Sequence, residues 1–158
     1  AGRFHTRAPA GGLLLVYFGY TFCPDVCPTT LTDLSVALRS LGPDAGRVTL
    51  AMVTIDPDRD DLDVLSAYLG HFSGRFVAIR PRDAEELDRA ESSYLASSSV
   101  TRTASGDIEV SHSATVYLVD ERGEVRVEWP FGTGADAIAH DLRVVLRDAD
   151  LQEPEGKT

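Results

Sequence analysis

The sequence predicts an α/β fold: a central mixed sheet with helices on both faces and a C-terminal β-hairpin plus helix. Three observations carry that expectation. Strongly apolar runs at 12–18 and 48–55 are each followed by leucines at helical spacing. A shorter apolar run at 76–79 precedes another helical pattern. Late in the chain, two β-type segments flank the turn sequence Asp120-Glu121-Arg122-Gly123, and a helical pattern closes the series. Alternating strands and helices imply parallel strands with right-handed crossovers, to which a late hairpin adds antiparallel ones.

Taken in order, residues 1–11 have no sustained period and read as a lead-in. Residues 12–18 are almost continuously apolar, as a strand covered on both faces should be. Gly19-Tyr20-Thr21-Phe22 leads into a cysteine loop, and Pro28 suits the first turn of a helix. Leu31, Leu34, Leu38 and Leu41 give that helix its apolar face, and Gly42-Pro43 ends it. The β-branched run at 48–55 forms a second strand. It stops at Asp56-Pro57-Asp58-Arg59-Asp60-Asp61, a turn that also supplies caps for the helix carrying Leu62, Leu65, Ala67, Tyr68 and Leu69.

After a third strand at 76–79, Asp83 caps a helix reaching about Leu95. Residues 96–111 are rich in Ser and Thr and read as a long connection, either functional or flexible. His112 then opens a strand over 113–119, and 124–129 alternates polar and apolar as a strand with one wet face would. A last helix runs from Gly134 to Arg147. The expected organisation is one domain, 12–148, between the lead-in 1–11 and a polar tail at 149–158, with no internal repeat. This order, βαβαβα followed by ββα, is the thioredoxin-like class of architecture.

Composition narrows the function classes. The 158 residues are 43% hydrophobic and 25% charged, ordinary for one globular domain. A net charge of −10 argues against a nucleic-acid partner, whose phosphates need basic patches. No run approaches the roughly 18 apolar residues of a membrane-spanning helix. The chain begins at Ala1, as a trimmed product would.

Chemistry concentrates in Cys23-Pro24-Asp25-Val26-Cys27-Pro28-Thr29, which holds the only two cysteines. Two are too few for a disulfide-built scaffold. The pair could bind a soft metal ion or cycle between dithiol and disulfide. Helical i, i+4 spacing would put the Cα atoms about 6 Å apart, within disulfide range, and the first helical turn should favour thiolate. Ligands in such sheets gather beyond the carboxyl ends of the parallel strands. Cys23 and Cys27 follow the first strand and Asp56 the second, while His112 precedes a strand expected to run antiparallel, so all converge on one edge. Two thiolates and an imidazole suit copper or zinc, not magnesium or calcium. Three donors, where a structural zinc site would have four, favour an open or three-coordinate copper site.

Plainer readings stand beside these. The cysteines could form a structural disulfide or be inert core thiols, and His112 could be a strand-end histidine. Asp56 could orient a ligand or tune the thiols, or be a turn and cap residue; Asp25 reads as a turn residue. His5, His71 and His140 lie in the lead-in, a helix end and a helix, and Trp129 reads as packing. Met52, the only methionine, falls inside a strand, which excludes a Met-rich copper site.

Three blocks together resemble the Sco/SenC family of copper chaperones for cytochrome c oxidase assembly. They are the segment 17–31 around the cysteines, Thr54-Ile55-Asp56-Pro57-Asp58-Arg59-Asp60, and the segment 111–120 around His112. The similarity runs in register from about Leu13 to Val145. Three residues separate the cysteines, whereas thioredoxins have two. The resemblance implies one copper ion, Cu+ or Cu2+, bound by Cys23, Cys27 and His112, with Cys23 and Cys27 also able to form a redox disulfide. It implies delivery of copper to the dinuclear site of cytochrome c oxidase subunit II, or reduction of that site's cysteines. Other copper chaperones would be further partners. Family members are tethered by an amino-terminal helix, absent from these residues, and face the periplasm or the intermembrane space. A non-enzymatic chaperone role is thus expected, with thiol–disulfide oxidoreductase as the alternative and a peroxidase-like enzyme a weaker third. Two departures stand out: Ser111 replaces the aspartate of many members, and the hairpin before the first core strand is shortened to 1–11.

Overall fold

The computed structural model describes residues 7–152. Its elements follow in order as β1 (Leu13–Gly19), α1 (Val26–Ser40), β2 (Val48–Thr54), α2 (Leu62–Gly70), β3 (Phe76–Ile79) and α3 (Ala84–Ser92). Then come β4 (Ser98–Arg102), β5 (Ile108–His112), β6 (Val116–Val119), β7 (Val125–Trp129) and α4 (Ala135–Gln152). Five strands form one sheet in the order β3-β2-β1-β6-β7, and β4 and β5 pair separately.

The apolar runs set the middle of the sheet. All seven residues of β1 and all seven of β2 are buried, so neither strand has a wet face. They pair in parallel from Leu13 opposite Val48 to Gly19 opposite Thr54. β3 extends the parallel series, whereas β6 runs antiparallel to β1 with Tyr17 opposite Val116. Leu31, Leu34 and Leu38 of α1 are buried, each contributing roughly 1.5–3 kcal/mol of apolar burial. α1 packs with α4. On the other face Tyr94, just beyond α3, meets Phe18 edge-on and Tyr117 at a tilt. Helices therefore cover both faces.

Capping follows the sequence closely. The Asp61 side chain accepts from Val64 N–H at 2.8 Å, and Asp83 accepts from Glu86 N–H at 2.8 Å. Trp129 is a packing residue, 3% exposed, with its indole N–H donating to Asp141.

Three details differ from expectation. Residues 96–111 are not a structureless connection: most of them form the β4–β5 hairpin, in register from Ser98 opposite His112 to Arg102 opposite Ile108. Its tip closes through Thr103 N–H to the Asp107 carbonyl at 2.7 Å, with Gly106 at φ 89°. His112 accordingly ends β5, and the next strand starts only at Val116. α1 begins at Val26, so Pro28 does fall in its first turn. α4 continues to Gln152, beyond Arg147, and Asp150 in its last turns pairs with Arg47 at 2.7 Å. Of the lead-in, residues 1–6 lie outside the described residues, while Ala8 is buried and donates its N–H to the Asp120 carbonyl.

Candidate metal centre

The site stands where β1 ends. A Cβ on Gly19 would lie 2.8 Å from the Tyr17 ring and 3.1 Å from Cys27 Sγ, so only glycine lets the chain pass this close to the sulfur. Ile55 N–H binds the Gly19 carbonyl, holding the β1 and β2 exits together. Beyond them the cysteine loop is tied down by Asp60, a fully buried carboxylate that accepts from Thr21 N–H at 3.1 Å and from the Thr21 hydroxyl. It also accepts from Thr54 Oγ1 at 2.7 Å, and Thr54 Oγ1 in turn accepts from Asp56 N–H. One buried side chain thus joins the loop before Cys23 to the turn after β2.

Cys23 lies outside α1 and Cys27 in its first turn, and both are free thiols. Cys27 N–H, one of the helix's unpaired N-terminal donors, points at Cys23 Sγ over 3.4 Å. Cys27 Sγ, fully buried, accepts from the Tyr17 hydroxyl at 3.4 Å and lies 3.7 Å from His112 Nε2. His112 Nδ1 is 3.0 Å from the Ser113 carbonyl. A carbonyl only accepts, so in the neutral ring Nδ1 carries the hydrogen and Nε2 presents its lone pair to the sulfur. The ring is further held edge-on by Tyr17 and Tyr20, at centroid distances of 6.2 and 5.9 Å.

The donor atoms of Cys23, Cys27 and His112 all lie within 4.8 Å of one another. Bonds of about 2.3 Å in a trigonal arrangement place donors about 4 Å apart. The triangle therefore closes on one ion with sub-ångström movement. Among the described residues this is the only such group of three His, Cys, Asp or Glu side chains.

The two thiols differ sharply in acidity. Burial pushes Cys27 up to about 12, only partly offset by hydrogen bonds from Tyr17 and the Tyr20 backbone. Burial also acts upward on Cys23, but the N–H groups of Cys27 and Asp25, with the Cys27 and Tyr20 side chains, outweigh it and hold this thiol below its ordinary value. Burial, then the charge of Cys23, raises Tyr20 to about 12, so it stays a donor. Tyr17 rises further, through burial and then Cys27.

Topology thus brings Cys23, Cys27 and His112 together. Asp56 turns elsewhere: its carboxylate pairs with Arg59, and its carbonyl receives Arg59 N–H and Asp60 N–H. Asp25 is the exposed residue before α1 and makes no side-chain cap bond. His71 and His140 are exposed and outside the donor group, and His5 lies outside the described residues. Met52 is buried in β2. Sequence reasoning missed Tyr17 and Asp60. Tyr17 is a hydroxyl inside an otherwise apolar strand, which was a usable signal. Asp60 was one aspartate among four in the turn at 56–61, and nothing local distinguished it.

Fold and donor group together define a thioredoxin-like domain with a Cys–Cys–His centre. The SCO1/SenC family profile matches residues 2–147, and the chain belongs to that family. It is 34% identical over 116 residues to a Danio rerio protein described as "Protein SCO2 homolog, mitochondrial", covering 72% of this chain but 41% of that one. The chain therefore spans less than half of that relative's length. Bradyrhizobium japonicum ScoI, solved with copper bound, is 33% identical with a TM-score of 0.74 over 85% of each chain. Apo Sco1 from Thermus thermophilus is 30% identical with a TM-score of 0.75, over 85% of this chain and 79% of that one. No helix among the described residues is long and apolar enough to cross a membrane.

Proposed function

We propose that this chain is a copper-binding metallochaperone in which Cys23, Cys27 and His112 hold one copper ion. The observation that carries the reading is the presentation of His112 Nε2, lone pair toward the donor group, 3.7 Å from the buried sulfur of Cys27. A simple dithiol exchanger has no need of a third soft donor. Two sulfurs and one nitrogen match copper in ligand softness, and the solved Bradyrhizobium japonicum relative carries copper. The recipient in this reading is the dinuclear copper site of cytochrome c oxidase subunit II, and the place of action is the periplasm or the intermembrane space. With three protein donors the ion keeps an open side, through which a recipient's ligands can replace these one by one.

The test is a copper titration of the reduced protein, followed by competition with a chelator of known affinity. One ion per chain is expected, with affinity at least tenfold lower in each of Cys23→Ala, Cys27→Ala and His112→Ala. Undiminished affinity in any of the three overturns the ligand set.

One observation favours a second activity on the same atoms. The partly exposed Cys23 thiol is the more acidic, as an attacking thiol in disulfide exchange should be, with buried Cys27 behind it to resolve the mixed disulfide. In that role the pair would reduce the copper-ligand cysteines of subunit II: two thiols give up two electrons and two protons, and the partner's disulfide takes them. His112→Ala separates the readings, since it should keep dithiol exchange while losing copper transfer.

A further inference from the structure

Metal exchange at this centre, taken as the proposed function, needs an opening to the donor atoms. Cys27 is fully buried, but a cleft of about 360 Å³, lined by Cys23, His112, Tyr20, Asp25, Val110 and Phe131, reaches the other two donors and gives a second protein's ligands a place to approach. Ten large apolar residues are well exposed among the described residues, and only two of them are aromatic: Phe22 at 58% and Phe131 at 50%. Phe131 lines the cleft from the turn after β7, and Phe22 directly precedes Cys23 in the loop after β1. Scattered exposed aliphatics are ordinary. One exposed aromatic lining the cleft and another next to Cys23 have the composition of an interface core.

Phe22 is also pre-set. The Arg59 guanidinium lies over its ring, 4.8 Å from the centroid, and Arg59 is itself held by the buried carboxylate of Asp56. A side chain ordered beforehand loses little freedom on docking. This gives Asp56 a place in the site through Phe22 instead of through the thiols. The cleft's single carboxylate is Asp25, on a chain of net charge −10, so a basic residue beside the apolar contact would complement it.

We propose that Phe22 and Phe131 are the anchors on which a metal-exchanging protein docks over the Cys23–His112 mouth. That partner presents its own thiolate or imidazole donors within an apolar patch that has a basic rim. Asp56 and Arg59 act as positioning residues for Phe22.

The experiment loads the reduced chain with copper and follows transfer to two acceptors: the soluble copper domain of an oxidase subunit II, and glutathione. Phe22→Ala and Phe131→Ala should each slow transfer to the protein acceptor at least tenfold. Copper affinity and transfer to glutathione should stay within twofold of wild type. Arg59→Ala should slow protein transfer about threefold, with the same spectrum of the bound copper. Equal slowing toward both acceptors would make the phenylalanines structural parts of the site and overturn the proposal, as would wild-type transfer rates in both variants. Self-association of the wild type that the variants lose would assign the patch to a second copy, and also overturn it. A wild-type chain that takes up no copper would instead refute the metal reading on which the proposal rests.

Discussion

Replacing Asp60 with alanine should loosen the cysteine loop and cost about 3 kcal/mol. The carboxylate is fully buried and accepts three hydrogen bonds, from Thr21 N–H, Thr21 Oγ1 and Thr54 Oγ1. A net value of about 1 kcal/mol per bond gives the total, and the buried donors left behind would each cost about 1–3 kcal/mol if water did not reach them. Asp60→Asn is the matched control. Its amide oxygen can take the two bonds at one carboxylate oxygen, and its NH2 can donate to a reoriented Thr21 hydroxyl. It should therefore retain most of the stability. In urea unfolding, with a slope of about 2 kcal/mol/M, the alanine variant should shift the midpoint down by about 1.5 M at unchanged slope. Because Thr21 lies two residues before Cys23, copper affinity should fall in Asp60→Ala and recover in Asp60→Asn. A loss under about 1 kcal/mol in the alanine variant, or an equal loss in both, would refute the clamp.

Two other predictions concern the thiols and a strained turn. Trapping the metal-free reduced protein with iodoacetamide at pH 8 should label Cys23 first by mass spectrometry. Cys27, fully buried with its thiol pushed up to about 12, should react only as the pH approaches that value or the chain unfolds; the reverse order would contradict the hydrogen bonding assigned to Cys23. Leu95 is 94% exposed and holds a left-handed φ of 54° at the end of α3, where Leu95 N–H and Ala96 N–H close the helix on the Ser92 and Glu91 carbonyls. Leu95→Gly should stabilise the fold by about 1 kcal/mol, raising Tm by about 2–4 °C; a lower Tm would show that the leucine packs on something in solution.

Much of the fold was legible because burial on both faces leaves a plain mark. The runs at 12–18 and 48–55 read as strands and are buried along their whole length, and their order placed the cysteine loop at one edge. Direction placed His112 near this edge, since a strand antiparallel to β1 begins beside β1's end and Tyr17 does lie opposite Val116, although His112 itself ends β5 and precedes that strand by four residues. The β4–β5 hairpin was hidden because both of its faces are largely wet. Without a buried face to impose period-two alternation, Ser and Thr read as loop. The end of α4 was hidden for a related reason, since the ion pair of Asp150 with Arg47 joins residues far apart in sequence. Asp60 is the same case inside the site, for its partner Thr21 lies 39 positions earlier. Contacts made by single polar groups across the fold leave no periodic trace.

That Cys23, Cys27 and His112 together hold one copper ion is tested most directly by X-ray absorption of the copper-loaded reduced protein. Two sulfur donors and one nitrogen donor are expected, accompanied in the copper(II) form by an intense thiolate-to-copper absorption band. His112→Ala should remove the nitrogen contribution and abolish that band. A shell with a single sulfur, or a nitrogen contribution that survives in His112→Ala, would contradict the assignment.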